Sequence, residues 1–207
     1  GFMSVGKIKI IQSASQEPKM IESKIVKVKI LPQKEQVDIH LDGAVALEEA
    51  LVRSMGLDEY KYIMDISAKV DVTTDQDFQQ RFNYFYKVRR NKIWRDKFYH
   101  IFEESKKDTN ITFENILRSI YESNGSVEAS FSSKMYATIN PSHPIWDSRV
   151  LQYLGLKLTG KNNTEKLDNA VGIYEKIVQW YEDYLWTADA RKNIGVFDRM
   201  LPHYRGI

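Results

Sequence analysis

Between residues 75 and 107 large apolar side chains recur every three or four positions: Phe78, Phe82, Phe85 and Val88 fall on one stripe, Trp94, Phe98 and Ile101 on another. That period gives a helix with one apolar face. The segment reads either as one long helix or as two that break near Asn91. The same spacing predicts a helix over 112–125, with Phe113, Ile116, Leu117 and Ile120 aligned and Gly125 at its end. It predicts another over 164–186, through Leu167, Val171, Tyr174, Ile177 and Tyr181, and a last one over 188–200, through Ala190, Ile194 and Phe197. Residues 44–56 carry the pattern too, with Gly56 as the stop. The chain ahead of them is different. Residues 7–11, 23–31 and 36–41 alternate lysine or other polar residues with β-branched ones, the period of strands with one wet face. Lysines on such strands also keep edges from pairing with other chains. Asp42-Gly43 closes this region with a turn signal. The expected fold class is therefore mainly α, a helical bundle with a small N-terminal antiparallel β element. It divides into a β-rich appendage over 1–43 and a helical domain over 44–207, with a hairpin-like segment at 125–156.

Composition narrows the class without naming a chemistry. With 43% hydrophobic and 12% aromatic residues in 207, the chain can bury a core. Its 30 basic and 28 acidic residues nearly cancel, so any basic footprint has to be local. Cysteine is absent, which excludes disulfides and thiolate chemistry and fits a reducing cytoplasm. No apolar run approaches membrane-spanning length, and the first residues lack the layout of a signal peptide. The expectation is a soluble, cytoplasmic protein with no membrane partner.

Motif chemistry is mostly excluded. The four histidines, His40, His100, His143 and His203, are scattered and have no ligand spacing, so no metal is expected. A glycine-rich phosphate loop and a nucleophile elbow are both missing, so no cofactor is expected. Two stretches stand out. In 86–99, Lys87, Arg89, Arg90, Lys92, Arg95 and Lys97 are interleaved with Tyr86, Trp94, Phe98 and Tyr99, and Asp96 alone is acidic. Such a run either holds a phosphate backbone or is the solvated face of an ordinary amphipathic helix. The second stretch is 125–156. Small residues from Gly125 to Ser133 lead towards a short helix at 134–139, Asn140-Pro141 breaks it, Pro144 stiffens the return, and Asp147 arrives where the next helix begins. Gly155 ends that helix after about two turns.

The order of a small-residue segment, Lys134 near the head of a helix, a proline-rich return and then Pro144-Ile145-Trp146-Asp147-Ser148-Arg149-Val150 resembles the helix-hairpin-helix DNA glycosylase superfamily. The likeness covers roughly 112–156. It implies a glycosylase-like helical bundle, DNA as the partner, Asp147 as the essential carboxylate and Lys134 as the amine that attacks the sugar in lyase-competent members. Ser132 and Ser133 would stand at the DNA-gripping hairpin, where the family's Leu-Pro-Gly-Val-Gly is replaced by Ala129-Ser130-Phe131-Ser132-Ser133. The chemistry implied is N-glycosidic cleavage on a flipped-out base, with a carboxylate stabilising a cationic sugar. Tyr136, Trp146 and Tyr153 could line the base pocket, and Arg89, Arg90, Lys92, Arg95 and Arg149 could hold phosphates. The duller readings stand beside these: Asp147 as a plain helix cap, Lys134 as a solvated lysine, Trp146 and Tyr153 as core. The alternatives to an enzyme are a non-catalytic nucleic-acid-binding module and a protein-interaction domain.

Overall fold

The computed structural model describes residues 8–12, 19–23 and 56–204, and the chain is mainly helical. Eight helices are present among the described residues: α1 (Gly56–Ile66), α2 (Gln76–Tyr86), α3 (Lys92–Lys106), α4 (Phe113–Asn124), α5 (Ala129–Ile139), α6 (Ser148–Tyr153), α7 (Asn163–Leu185) and α8 (Ala188–Met200). Two short segments, β1 (Ile8–Gln12) and β2 (Lys19–Ser23), pair antiparallel in the backbone with Ile10 opposite Ile21. Of the strands expected over 23–31 and 36–41, all but Ser23 lies outside the described residues, as does all but Gly56 of the helix expected over 44–56. Gly56 opens α1 instead of ending a helix. Burial favours this start, because Leu57, Tyr60 and Ile63 of the same helix are buried at three-residue spacing.

Contacts divide the chain into two compact units. Among the described residues the first holds 59–146 and 157–179, and the second holds 8–12, 19–23, 56–58, 147–156 and 180–204.

In the first unit the aromatic stripe splits into two helices. Lys87 takes the left-handed conformation (φ 54°) and ends α2, where Val88 N–H reaches back to the Asn83 carbonyl at 2.8 Å. Asn91 then starts α3, its side-chain oxygen accepting from Trp94 N–H at 2.9 Å. The two helices build the core around Phe82, whose ring meets Phe78, Tyr86, Phe98, Tyr99 and Phe102 at centroid distances between 4.7 and 6.0 Å. Rings at these distances and tilts add edge and offset attraction to the burial of area. Ile116, Leu117 and Ile120 of α4, Met135 of α5 and Ile177 of α7 are fully buried as well. α4 begins with a reciprocal capping box between Thr112 and Asn115 and ends at Gly125 with φ 74°. On its surface Arg118 joins α4 to α7 through Asp168 at 2.8 Å.

In the second unit α6 ends at Gly155 (φ 66°), with Leu156 N–H bonding the Leu151 carbonyl at 2.8 Å. Thr187 caps α8 by accepting from Ala190 N–H at 3.1 Å. The Tyr204 hydroxyl donates to the Asp58 carboxylate and so ties the last turn, Pro202–Tyr204, to the start of α1.

Candidate functional site

α5 is the helix on which the candidate site depends, and it starts earlier than the sequence suggests. The small residues Ala129–Ser133, expected as a loop, form its first turns. They can do so because both faces are covered: Ala129, Ser132, Ser133, Met135, Tyr136, Ala137 and Thr138 are all buried. Small side chains let neighbouring helices approach, and the hydroxyls find acceptors on the helix itself. Ser132 donates to the Glu128 carbonyl at 2.9 Å, Ser133 to Ser130 at 3.0 Å and Thr138 to Lys134 at 2.7 Å. Ser132 and Ser133 therefore do not form a DNA-gripping hairpin; both have no exposed surface.

The return after α5 is fastened at three points. The His143 ring lies 4.7 Å from the Tyr136 ring, and its Nε2 is 3.3 Å from the Tyr136 hydroxyl. The Tyr174 hydroxyl of α7 donates to the Pro144 carbonyl at 2.8 Å, in a buried bond. The Trp146 backbone N–H donates to the Ser133 hydroxyl at 2.7 Å, also buried. Ser133 thus gives one hydrogen bond and receives another. Pro141 and Pro144 remove two backbone donors and fix φ, so the segment has few alternatives once these bonds form. His143, Ser133 and Tyr174 were not legible in this role. Only the two prolines hinted that the segment is stiff.

Asp147 comes next in the chain and belongs to the second unit. Its backbone is extended (φ −126°, ψ 135°), and its carboxylate accepts from Arg149 N–H at 2.8 Å. The helix-cap reading of Asp147 is thereby met, and the side chain is half-buried. Arg149 is half-buried too, with Nη1 buried and without an acceptor among the described residues. Its guanidinium is turned partly inward. Tyr153 packs its ring 5.7 Å from Trp180, which in turn stacks on Tyr184 at 5.8 Å. Burial raises the Tyr153 hydroxyl above its ordinary pKa.

The other expected site residues lie in the first unit. Tyr136 and Trp146 are buried in the core (9% and 8% exposed), so neither offers a face to an incoming base. Lys134 is half-buried, with Nζ 5.0 Å from the Phe131 ring centre, 5.7 Å from that of Tyr86 and 3.5 Å from the Tyr86 carbonyl. Ring faces and a carbonyl oxygen all attract an ammonium. A nucleophilic amine has to be neutral. Arg90 is held in a similar way. Its Nη2 meets Glu128 at 2.7 Å, and the guanidinium sits 5.6 Å from the ring centres of both Trp94 and Phe131. Lys92 pairs with Asp96 at 2.6 Å, Arg89 is exposed and Arg95 is half-buried.

Among the described residues no cluster of His, Asp or Glu could hold a metal ion, and no helix is long and apolar enough to cross a membrane. Compared with protein-family models, with curated proteins and with solved structures, the chain finds no match.

Proposed function

We propose that this chain is a divergent helix-hairpin-helix DNA glycosylase-like protein in which Asp147 is the working carboxylate. In this reading the N-terminal β pair is an appendage on a glycosylase-like helical bundle, and the protein acts on DNA in the cytoplasm. The observation that carries the reading is the placement of Asp147 itself: half-buried, with an extended backbone, its carboxylate accepting from Arg149 N–H at 2.8 Å at the start of α6. A carboxylate held in this way is in place before charge develops next to it.

In the reaction the bonding pair of the N-glycosidic bond leaves with the base, and C1′ of the sugar becomes cationic. The fixed carboxylate of Asp147 stabilises that charge. A water oxygen then bonds to C1′, and its proton passes to the carboxylate or the departing base. Lys134 would act only in a lyase step on the sugar and takes no part in base release. A second reading, a DNA-binding module without catalysis, is favoured by one observation: Arg89, Lys92 and Lys97 of the basic run are exposed.

Base release from duplexes carrying single deaminated, alkylated or oxidised bases separates the two. Release by the wild-type chain that is lost in Asp147→Asn, with an unchanged melting curve, supports the enzyme. Binding to the same duplexes with no release of any base, and equal affinity for Asp147→Asn, supports the module.

A further inference from the structure

Arg149 sits two residues beyond Asp147, and its own backbone N–H is the donor that the Asp147 carboxylate accepts at 2.8 Å. The root of the arginine side chain is thereby held against the proposed working carboxylate. Other arginines of the chain are tied up by the fold: Arg81, Arg90 and Arg118 meet Asp77, Glu128 and Asp168. Arg149 differs, because its Nη1 is buried without an acceptor among the described residues. Buried donors are paired as a rule, and an unmade bond from a charged group is strongly unfavourable. A cation turned inward and left unpaired suits a place where an acceptor from outside completes the set.

The proposed reaction brings such an acceptor. With the Asp147 carboxylate beside C1′ of the sugar, the base joined to that same carbon lies within reach of a long side chain rooted there. Tyr153 stands one turn further on the same side of α6, its ring 5.7 Å from that of Trp180. These rings bring no carboxylate to Arg149, and an apolar surrounding strengthens any hydrogen bond that the guanidinium makes.

When the N-glycosidic bond breaks, its electron pair leaves on the base. A neutral base departs as an anion, and a carbonyl conjugated with the departing nitrogen gathers that charge on its oxygen. Guanidinium has donors only and a standing positive charge, so it binds this oxygen more strongly as the charge develops. The anion then takes the proton given up by the water that bonds to C1′. An alkylated base that already carries a positive charge leaves as a neutral molecule. It gains nothing from Arg149 and is repelled by it.

We propose that Arg149 is a second catalytic residue, which stabilises the departing base through a carbonyl oxygen, and that the substrates are neutral carbonyl-bearing bases, deaminated or oxidised, and not cationic alkylated ones. The inference rests on the Asp147 reading, since Asp147 is what places the sugar beside Arg149.

The test is single-turnover base release from three duplexes, carrying one uracil, one 8-oxoguanine or one 7-methylguanine, with a melting curve for each protein. Wild type is expected to release uracil or 8-oxoguanine faster than 7-methylguanine, although the cationic base is the better leaving group. Arg149→Met is expected to lower that ratio of rates about a hundredfold, as the loss of one donor to a developing oxyanion does. Arg149→Lys is expected to recover part of it. The melting temperature of Arg149→Met is expected to equal or exceed that of wild type, because a buried charge without a partner is removed. If Asp147→Asn abolishes release while Arg149→Met keeps the wild-type ratio, the inference is wrong and the Asp147 reading stands. Release of 7-methylguanine alone, lost in Asp147→Asn, has the same meaning. An Arg149→Met variant that melts lower and slows on all three bases equally makes Arg149 a structural residue. No release of any of the three bases by wild type overturns both readings.

Discussion

The backbone N–H of Trp146 donates to the hydroxyl of Ser133 across 2.7 Å, in a buried bond that spans thirteen residues. The same hydroxyl donates to the Ser130 carbonyl at 3.0 Å, so one side chain both closes a turn of α5 and anchors the return after it.

Replacing Ser133 by alanine leaves the Trp146 N–H buried without an acceptor. The expected cost is about 1–3 kcal/mol. Threonine keeps the hydroxyl but adds a methyl group at a position with no exposed surface, so it is expected to recover only part of the loss. Urea unfolding of the two variants checks this, and an alanine variant as stable as wild type would show that the bond contributes nothing net.

Asp147 offers a contrast, because its cap and its proposed chemistry separate cleanly. Asparagine caps as well as aspartate, so Asp147→Asn is expected to unfold within a few tenths of a kcal/mol of wild type. Alanine offers no acceptor to Arg149 N–H and is expected to cost about 1 kcal/mol. Thermal unfolding of both variants measures the cap without reference to any activity. Equal losses in Asn and Ala would mean that the negative charge, not the capping oxygen, holds the start of α6.

The helices from α2 onward were legible because their signals are local. Apolar residues at three- and four-residue spacing, Gly125 and Gly155 in left-handed conformations, and Asp147 ahead of α6 all act within one or two turns. The break between α2 and α3 was only half legible. Asn91 pointed to it, but the residue that turns the chain is Lys87, which no propensity marks as left-handed. Ala129–Ser133 misled, since small polar residues suit loops in isolation. Here they are helical because burial from both sides rewards small side chains, and that is a tertiary fact. The anchors of the return were hidden for the same reason: Tyr174 lies thirty residues beyond Pro144 in the chain.

Alkaline pH provides a test of the aromatic core. Burial raises the pKa of Tyr99 in α3 and of Tyr86 in α2 well above the ordinary value of 10.0, through loss of solvation of the phenolate. Since the folded pKa is the higher one, the contribution is fully present below pH 10 and is lost as the unfolded chain ionises above it. Each of the two hydroxyls then lowers stability by up to about 1.4 kcal/mol per pH unit. Unfolding midpoints are expected to be flat from pH 8 to 9.5 and to fall steeply beyond. In Tyr99→Phe the fall is expected to be shallower, although the hydrogen bond to the Asn83 side chain at 2.9 Å is lost. A slope identical to wild type would mean that Tyr99 titrates normally.

Lys106 carries the last prediction. Its ammonium donates to the carbonyls of Val70 at 2.7 Å and Ser67 at 3.0 Å and pairs with Glu103 at 2.6 Å, while Glu103 accepts from Val72 N–H at 2.9 Å. Two side chains one turn apart on α3 thus clasp the loop after α1. The Lys106 side chain is only 14% exposed, so solvent screens this pair less than the exposed Lys107–Glu104 pair beside it. Lys106→Met keeps the length of the stem and removes the charge. It strands two carbonyls and a carboxylate and is expected to cost about 1–3 kcal/mol. Lys107→Met removes an equivalent charge from the surface and is expected to cost less than about 0.5 kcal/mol. If both variants lose the same small amount, and 1 M salt weakens wild type as much as it weakens Lys106→Met, the clasp is an ordinary surface ion pair and the loop after α1 is held by Val72 alone.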